Sequence, residues 1–196
     1  MNDLEAGLRG FDPQVTPPAL PETDVSYTIT DSPVGPLVLA ATESGLVACS
    51  YRPESEVAER LARELSPRVL RSPRRLDAAR RELDAYFAGT LQRFRVGVDL
   101  ALARPFARRV LGAIAAVPYG QTSSYGAVAR MIGRPGAARA VGGALNANPV
   151  CVVVPCHRVV ASDGSLHGYA GGLAAKRALL VLERRAAEGG HIRGSP

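Results

Sequence analysis

The sequence predicts an α+β protein: a small N-terminal α/β unit built on an antiparallel sheet, then a mainly helical C-terminal unit. Two observations predict it. Short β-branched runs separated by Pro- and Gly-bearing turns fill residues 25–51. Apolar residues at helical spacing dominate from residue 105 onward. The charge also divides. Residues 1–90 hold 10 arginines against 14 carboxylates, a net of −4, whereas residues 91–196 hold 14 Lys and Arg against 4 Asp and Glu, a net of +10. A formal charge of +6 thus conceals a basic back half, which favours an anionic partner.

In order along the chain, residues 1–24 carry Pro13, Pro17, Pro18 and Pro21 without periodicity and read as a flexible leader. Ser26–Thr30, Leu37–Thr42 and Leu46–Tyr51 read as three strands of a meander, joined by turns at Pro33–Pro36 and Glu43–Gly45. Glu54–Leu65 and Leu76–Ala88 read as helices, the second with Leu76, Leu83, Tyr86 and Phe87 on one side; Ser66–Pro73 between them reads as a loop. Val96–Leu100 suits a further strand. Nothing in residues 1–100 looks catalytic, and Cys49 in its apolar strand reads as a small core residue.

The helical unit is expected over 101–188. Pro105 opens a helix that Pro118 ends, with Phe106, Val110, Ile114 and Val117 on one face. Ser123 or Ser124 can cap a helix over Tyr125–Ile132, and Gly133 can close it. After Arg134-Pro135-Gly136 a helix over Ala137–Asn146 stops at Asn148-Pro149. Helix, short glycine-bearing turn, helix is the helix-turn-helix pattern. The second helix carries Ala138, Ala140, Gly142, Gly143 and Ala144, and its interior glycines cost about 1 kcal/mol each against alanine. Close helix packing explains them, and so does a helix laid on a broad surface such as a DNA groove with Arg139 projecting. Tyr125, flanked by Ser124 and Gly126, suits a polar contact or proton donor.

The chemistry centres on Pro155-Cys156-His157-Arg158-Val159-Val160. The run Val150–Val154 before it reads as a buried strand that Pro155 terminates. Positive charge and proton acceptors beside a thiol favour the thiolate, so Cys156 reads as a nucleophile. An inert core cysteine fits Cys49 and Cys151 but not Cys156, since His157 and Arg158 are costly to bury unpaired. Zinc would need more ligands than Cys151, Cys156 and His157 supply. His157 reaches the sulfur only through a bend or a bridging water, and Glu183 is the leading candidate to orient it. Gly168-Tyr169-Ala170-Gly171-Gly172 is a loop able to approach a flat ligand closely. The last helix is expected over Leu173–Arg185, with Leu173, Leu179, Leu180 and Leu182 in the core and residues 189–196 a disordered tail. His167 and His191 read as solvated. The absence of a signal peptide, of a long apolar run and of paired cysteines points to a reducing cytoplasm.

Val117-Pro118-Tyr119-Gly120, Ser124-Tyr125-Gly126, Ala137–Gly142, Asn148-Pro149, Pro155–Val159 and Gly171-Gly172-Leu173 together closely resemble the O6-alkylguanine-DNA alkyltransferases, or methylated-DNA–protein-cysteine methyltransferases. Residues 25–100 resemble the family's N-terminal domain, a ribonuclease H-like unit, more loosely. The resemblance implies a DNA repair protein that flips O6-alkylguanine, and O4-alkylthymine, out of the duplex and takes the alkyl carbon onto Cys156 in one irreversible displacement. It implies a relay from Cys156 through a water to His157 and Glu183, with Asn148 holding the turn. Tyr125 would donate to guanine N3. Carbonyls of Cys156 and Val159 would accept from the guanine amino group, while the backbone around Tyr169, Ala170 and Gly171 walls the pocket. Arg139 would fill the vacated stack, with Ala138, Ala140 and Gly142 against the minor groove. Ala170 stands where relatives often have serine. The implied partner is double-stranded DNA bound by a monomer, with no membrane, no cofactor and no metal. A non-catalytic lesion-binding module and a cysteine hydrolase are the alternatives to be tested.

Overall fold

The computed structural model describes residues 24–191. The expected leader lies outside them except for Asp24, whose carboxylate is held by Arg68 at 2.7 and 3.0 Å and by Ser66. The expected tail lies outside from residue 192.

Three strands form where the apolar runs between turns placed them: β1 (Val25–Thr30), β2 (Leu37–Thr42) and β3 (Gly45–Ser50), antiparallel in the order β3-β2-β1. A bulge at Ala40/Ala41 shifts the β2–β3 register. Gly45 must be glycine. Its φ is +135°, and a Cβ there would lie 2.6 Å from the Gly97 carbonyl oxygen. The expected loop Ser66–Pro73 contains a fourth strand, β4 (Val69–Arg71), which pairs parallel to β1 and makes the sheet mixed. Three residues at an edge, none of them buried, leave no alternation to read. Conversely, Val96–Leu100 contributes only a single bridge, Leu46 to Val98.

Helix α1 (Glu54–Glu64) buries Val57 and Leu61, and its end charges suit the helix dipole: Glu54 and Glu56 first, Arg63 last. A 3₁₀ turn at Arg74–Leu76 leads into α2 (Asp77–Phe87), which buries Ala79, Leu83 and Tyr86. Helix α3 (Pro105–Ala115) buries Ala107, Val110, Leu111 and Ile114. The helix-turn-helix follows: α4 (Tyr125–Met131), capped by Ser124 accepting from the Ala127 N–H at 3.1 Å, then α5 (Ala138–Asn146). The last helix, α6 (Gly172–His191), is longer than expected, so residues 189–191 are helical rather than tail. Leu173 is exposed rather than in the core.

The core is continuous across both halves. Leu37, Leu39, Cys49, Leu83 and Tyr86 belong to the same buried cluster as Val110, Ile114, Val141, Cys156 and Leu179. The sheet meets the helical half at Cys49, whose N–H donates to the Pro149 carbonyl and whose carbonyl accepts from the Cys151 N–H, both at 2.8 Å.

Candidate active site

Val150–Val154 is not a strand. Only Val150 bridges to the sheet, and the next residues form a tight turn. Asn148 is the cause. Its Oδ1 accepts from the Val150 N–H at 3.0 Å, while its Nδ2 donates to the Val154 carbonyl at 3.0 Å. The Val154 N–H then donates back to the Val150 carbonyl at 2.9 Å. With these backbone groups satisfied inside the turn, no ladder forms despite the β-branched composition. Val152 is left at φ 69°, a costly conformation for a β-branched residue.

Beyond Pro155 the chain makes a 3₁₀ turn, Cys156–Arg158, and a short strand β6 (Val159–Val160). That strand pairs parallel with β5 (Ser123–Ser124), which leads directly into α4. The cysteine stretch and the helix-turn-helix are thereby joined by backbone hydrogen bonds.

Cys156 is 5% exposed, and its Sγ accepts from Asn148 Nδ2 at 3.1 Å. The neighbouring Cys151 thiol, Asn148 and the Lys176 ammonium hold Cys156 below the usual thiol range against burial, while the Cys151 sulfur itself lies 3.5 Å from the Asn148 carbonyl. The Cys151 thiol is correspondingly pushed up. Neither His157 nor Arg158, both expected to favour the thiolate, hydrogen-bonds the sulfur directly, which for His157 agrees with the expected need for a bend or a bridging water. The 3₁₀ turn sends both side chains to Glu183: His157 Nε2 lies 2.8 Å from Oε1, and Arg158 reaches both oxygens at 2.9 Å. Arg158 also donates to the Val117 carbonyl at 2.7 Å, and the Gly120 N–H to Glu183 Oε2 at 3.1 Å.

All three side chains are buried. Burial pushes the Glu183 carboxyl up, but hydrogen bonds from His157 and Arg158 and their charges outweigh it and hold it at about 2. Burial pushes the His157 imidazole down despite Glu183 beside it. His157 Nδ1 is buried with no hydrogen-bond partner. The site therefore offers an activated sulfur and, one residue on, a neutral imidazole fixed by a carboxylate.

Tyr125 donates to the His167 carbonyl at 3.3 Å, and a Cβ on Gly142 would touch its ring at 3.7 Å. The Val159 carbonyl accepts from Lys176 Nζ at 2.7 Å, and the Cys156 carbonyl from the Val159 N–H. Tyr169 packs edge-on to Tyr51 with hydroxyls 3.3 Å apart. Ala170 is exposed beside a cleft of about 1130 Å³ that also touches Tyr51, Asn148 and Cys151. On α5, Arg139 and Ala140 are exposed and Ala138 half-buried. His167 is exposed, paired with the Ser165 hydroxyl at 2.9 Å.

Three participants were missed from sequence. Lys176 is 1% exposed and bridges the Val159 and His167 carbonyls at 2.7 and 2.9 Å; as the single lysine of the chain it carried that hint. Tyr51 was read only as strand, and Tyr86 only as the apolar face of a helix.

Residues 25–100 match the family model for the 6-O-methylguanine DNA methyltransferase ribonuclease-like domain, and residues 105–185 the model for the DNA-binding domain of the same proteins. The methylated-DNA–protein-cysteine methyltransferase of Mycobacterium bovis is 44% identical over 160 residues, 82% of this chain and 93% of that protein. The chain belongs to the methylated-DNA–protein-cysteine methyltransferase family. A second methyltransferase of this family, from Methanosarcina acetivorans, is 41% identical over 80% of this chain and 97% of its own. Among solved structures, the Mycobacterium tuberculosis O6-methylguanine methyltransferase superposes with a TM-score of 0.72 at 42% identity, covering 83% of this chain and 94% of that one. The M. tuberculosis protein in complex with DNA gives 0.71 at 43%, covering 82% and 94%. The family thus accounts for the mixed α+β architecture and for the helix-turn-helix beside the cysteine. No described helix is long and apolar enough to cross a membrane.

Proposed function

We propose that this chain is a DNA repair protein that transfers the alkyl group of O6-alkylguanine in double-stranded DNA irreversibly to its own Cys156. One observation carries the reading: a buried Cys156 thiol, held below its usual range by its neighbours, with the His157–Glu183 pair behind it, in a member of a methyltransferase family. The sulfur attacks the alkyl carbon in line, the C–O bond breaks, and the guanine leaves with a proton supplied at the pocket. A thioether does not revert under these conditions, so each molecule acts once.

The roles follow from the side chains. Asn148 holds the turn and hydrogen-bonds the sulfur. His157, with Glu183 on Nε2, takes the thiol proton through a water on Nδ1. Tyr125 faces the extruded base as proton donor, and the backbone at Val159, Tyr169, Ala170 and Gly171 frames it. Small residues Ala138, Ala140 and Gly142 let α5 lie close in the minor groove, where Arg139 fills the gap left by the base. O4-alkylthymine, with the same alkyl–oxygen linkage, is a second substrate. The protein works as a monomer in a reducing cytoplasm, with residues 25–100 supporting a DNA-binding and transfer unit at 101–188.

Intact-mass measurement after mixing with duplex containing O6-methylguanine tests this. One added methyl is expected on Cys156, at most one equivalent, and none in Cys156→Ser. Tight lesion binding without a mass change would instead establish a non-catalytic binding module, and turnover of an ester or amide a hydrolase.

A further inference from the structure

Tyr86 reaches the site from the N-terminal half. Its ring is fully buried among Phe87, Phe94 and Tyr119, with centroids 5.4, 5.1 and 6.0 Å away. Packing alone would be served by another phenylalanine. The hydroxyl instead donates to Glu183 Oε1 at 2.7 Å and lies 3.4 Å from His157 Nε2. It meets the same carboxylate oxygen that His157 uses.

We propose that Tyr86 is a positioning residue for alkyl transfer: its hydroxyl fixes Glu183 Oε1 and, through it, the tautomer and basicity of His157. The proposal rests on the reading of Cys156 as alkyl acceptor. An ionised carboxylate only accepts, so His157 Nε2 carries the proton and Nδ1 keeps its lone pair. Nδ1 is the buried ring atom without a partner, hence the one free to take a proton from the thiol side. Tyr86 spends its proton on Oε1, so its oxygen presents a lone pair to Nε2–H. Both contacts favour the same tautomer. The hydroxyl also draws charge off Oε1, which restrains the carboxylate from pulling His157 into the imidazolium form.

The groups facing His157 are Glu183 and Lys176 from α6, Arg158 and Cys156 on its own turn, Tyr86 from α2, and Tyr169 from the pocket loop, its ring 6.5 Å away. Burial, Arg158 and Lys176 oppose protonation; Glu183 favours it. Removing the Tyr86 hydroxyl releases Glu183 Oε1 from a 2.7 Å hydrogen bond to act more strongly on His157, and this outweighs the loss of the longer 3.4 Å lone-pair contact to Nε2–H. Tyr86→Phe therefore raises the His157 pKa, moves the acidic limb of the rate profile to higher pH, and slows transfer roughly tenfold near neutrality, the scale of one hydrogen bond to a charged group.

The experiment uses the full chain. Imidazole ¹⁵N resonances are titrated in the wild type and in Tyr86→Phe, with His157→Gln identifying the ring among three histidines. Single-turnover transfer from O6-methylguanine duplex is then timed from pH 5 to 9, an assay range of about four units. Expected are an Nε2–H ring in the wild type and, in Tyr86→Phe, an upward pKa shift with a matching shift of the rate profile. Leu83→Ala, at an apolar residue buried on the same helix that offers no hydrogen bond to Glu183 or His157, lowers Tm and leaves the ring unchanged. A Tyr86→Phe ring that titrates with the wild type, or a Leu83→Ala ring that shifts as far, overturns the proposal. The titration needs no DNA, so a chain that never acquires a methyl refutes the functional reading while the ring still decides Tyr86.

Discussion

Glu183 accepts from His157, Arg158, Tyr86 and the Gly120 N–H, all inside the protein. Its depression from 4.5 to about 2 contributes stability that is present above the unfolded value and lost as pH falls towards 2. His157 also opposes acid, but earlier. It is buried neutral, so the unfolded chain binds a proton first, and stability declines as pH falls below 6.5. Thermal melts of the wild type should therefore drop as pH falls from 6.5 to 5, and His157→Gln should flatten that segment. An equal slope in both proteins would contradict this. At this scale the sequence revealed the pairing of His157 with Glu183 because carboxylates are scarce in the back half. It hid Tyr86, since a tyrosine at the core spacing of a helix is fully explained by packing. Arg158 was misassigned because the direction of a side chain one residue from the sulfur depends on a 3₁₀ turn that adjacency does not reveal.

At the level of elements, the most instructive departure is Val150–Val154. Four valines signal a strand, yet one asparagine side chain supplies the hydrogen bonds that close a turn and sets the sulfur above it. Period and propensity do not register such a side-chain effect. The three long strands and the helix-turn-helix were legible because their patterns are local and repeated; β4 was too short to show one. The pocket loop makes its own demand. A Cβ on Gly171 would lie 2.7 Å from two ring atoms of Tyr51. Gly171→Ala must push that ring aside and separate it from Tyr169. We expect a loss of about 1–3 kcal/mol in stability from the overpacked contact and slower transfer, read by melting and single-turnover assays. Wild-type values in both would show that the loop yields freely.

Taken whole, the molecule has one main core. Charge and pattern suggested two halves, and nothing local announces that Cys49 pairs with Val150 or that Tyr86 meets Glu183. Because Leu37, Tyr86, Ile114 and Leu179 share one cluster, neither half keeps its interior without the other. Calorimetry should show a single unfolding transition, with calorimetric and van't Hoff enthalpies equal; two resolved transitions would refute the shared core. Helix α6 packs into this core through Leu179. Lys176, which holds the Val159 and His167 carbonyls, and Glu183, which holds His157, are two turns apart on its inner side, roughly 10 Å along the axis. The rod is in effect a ruler. One residue inserted between those marks would swing the carboxylate by about 100° away from the imidazole; on the proposed mechanism that leaves a chamber that still receives a base beside a sulfur whose proton has nowhere to go.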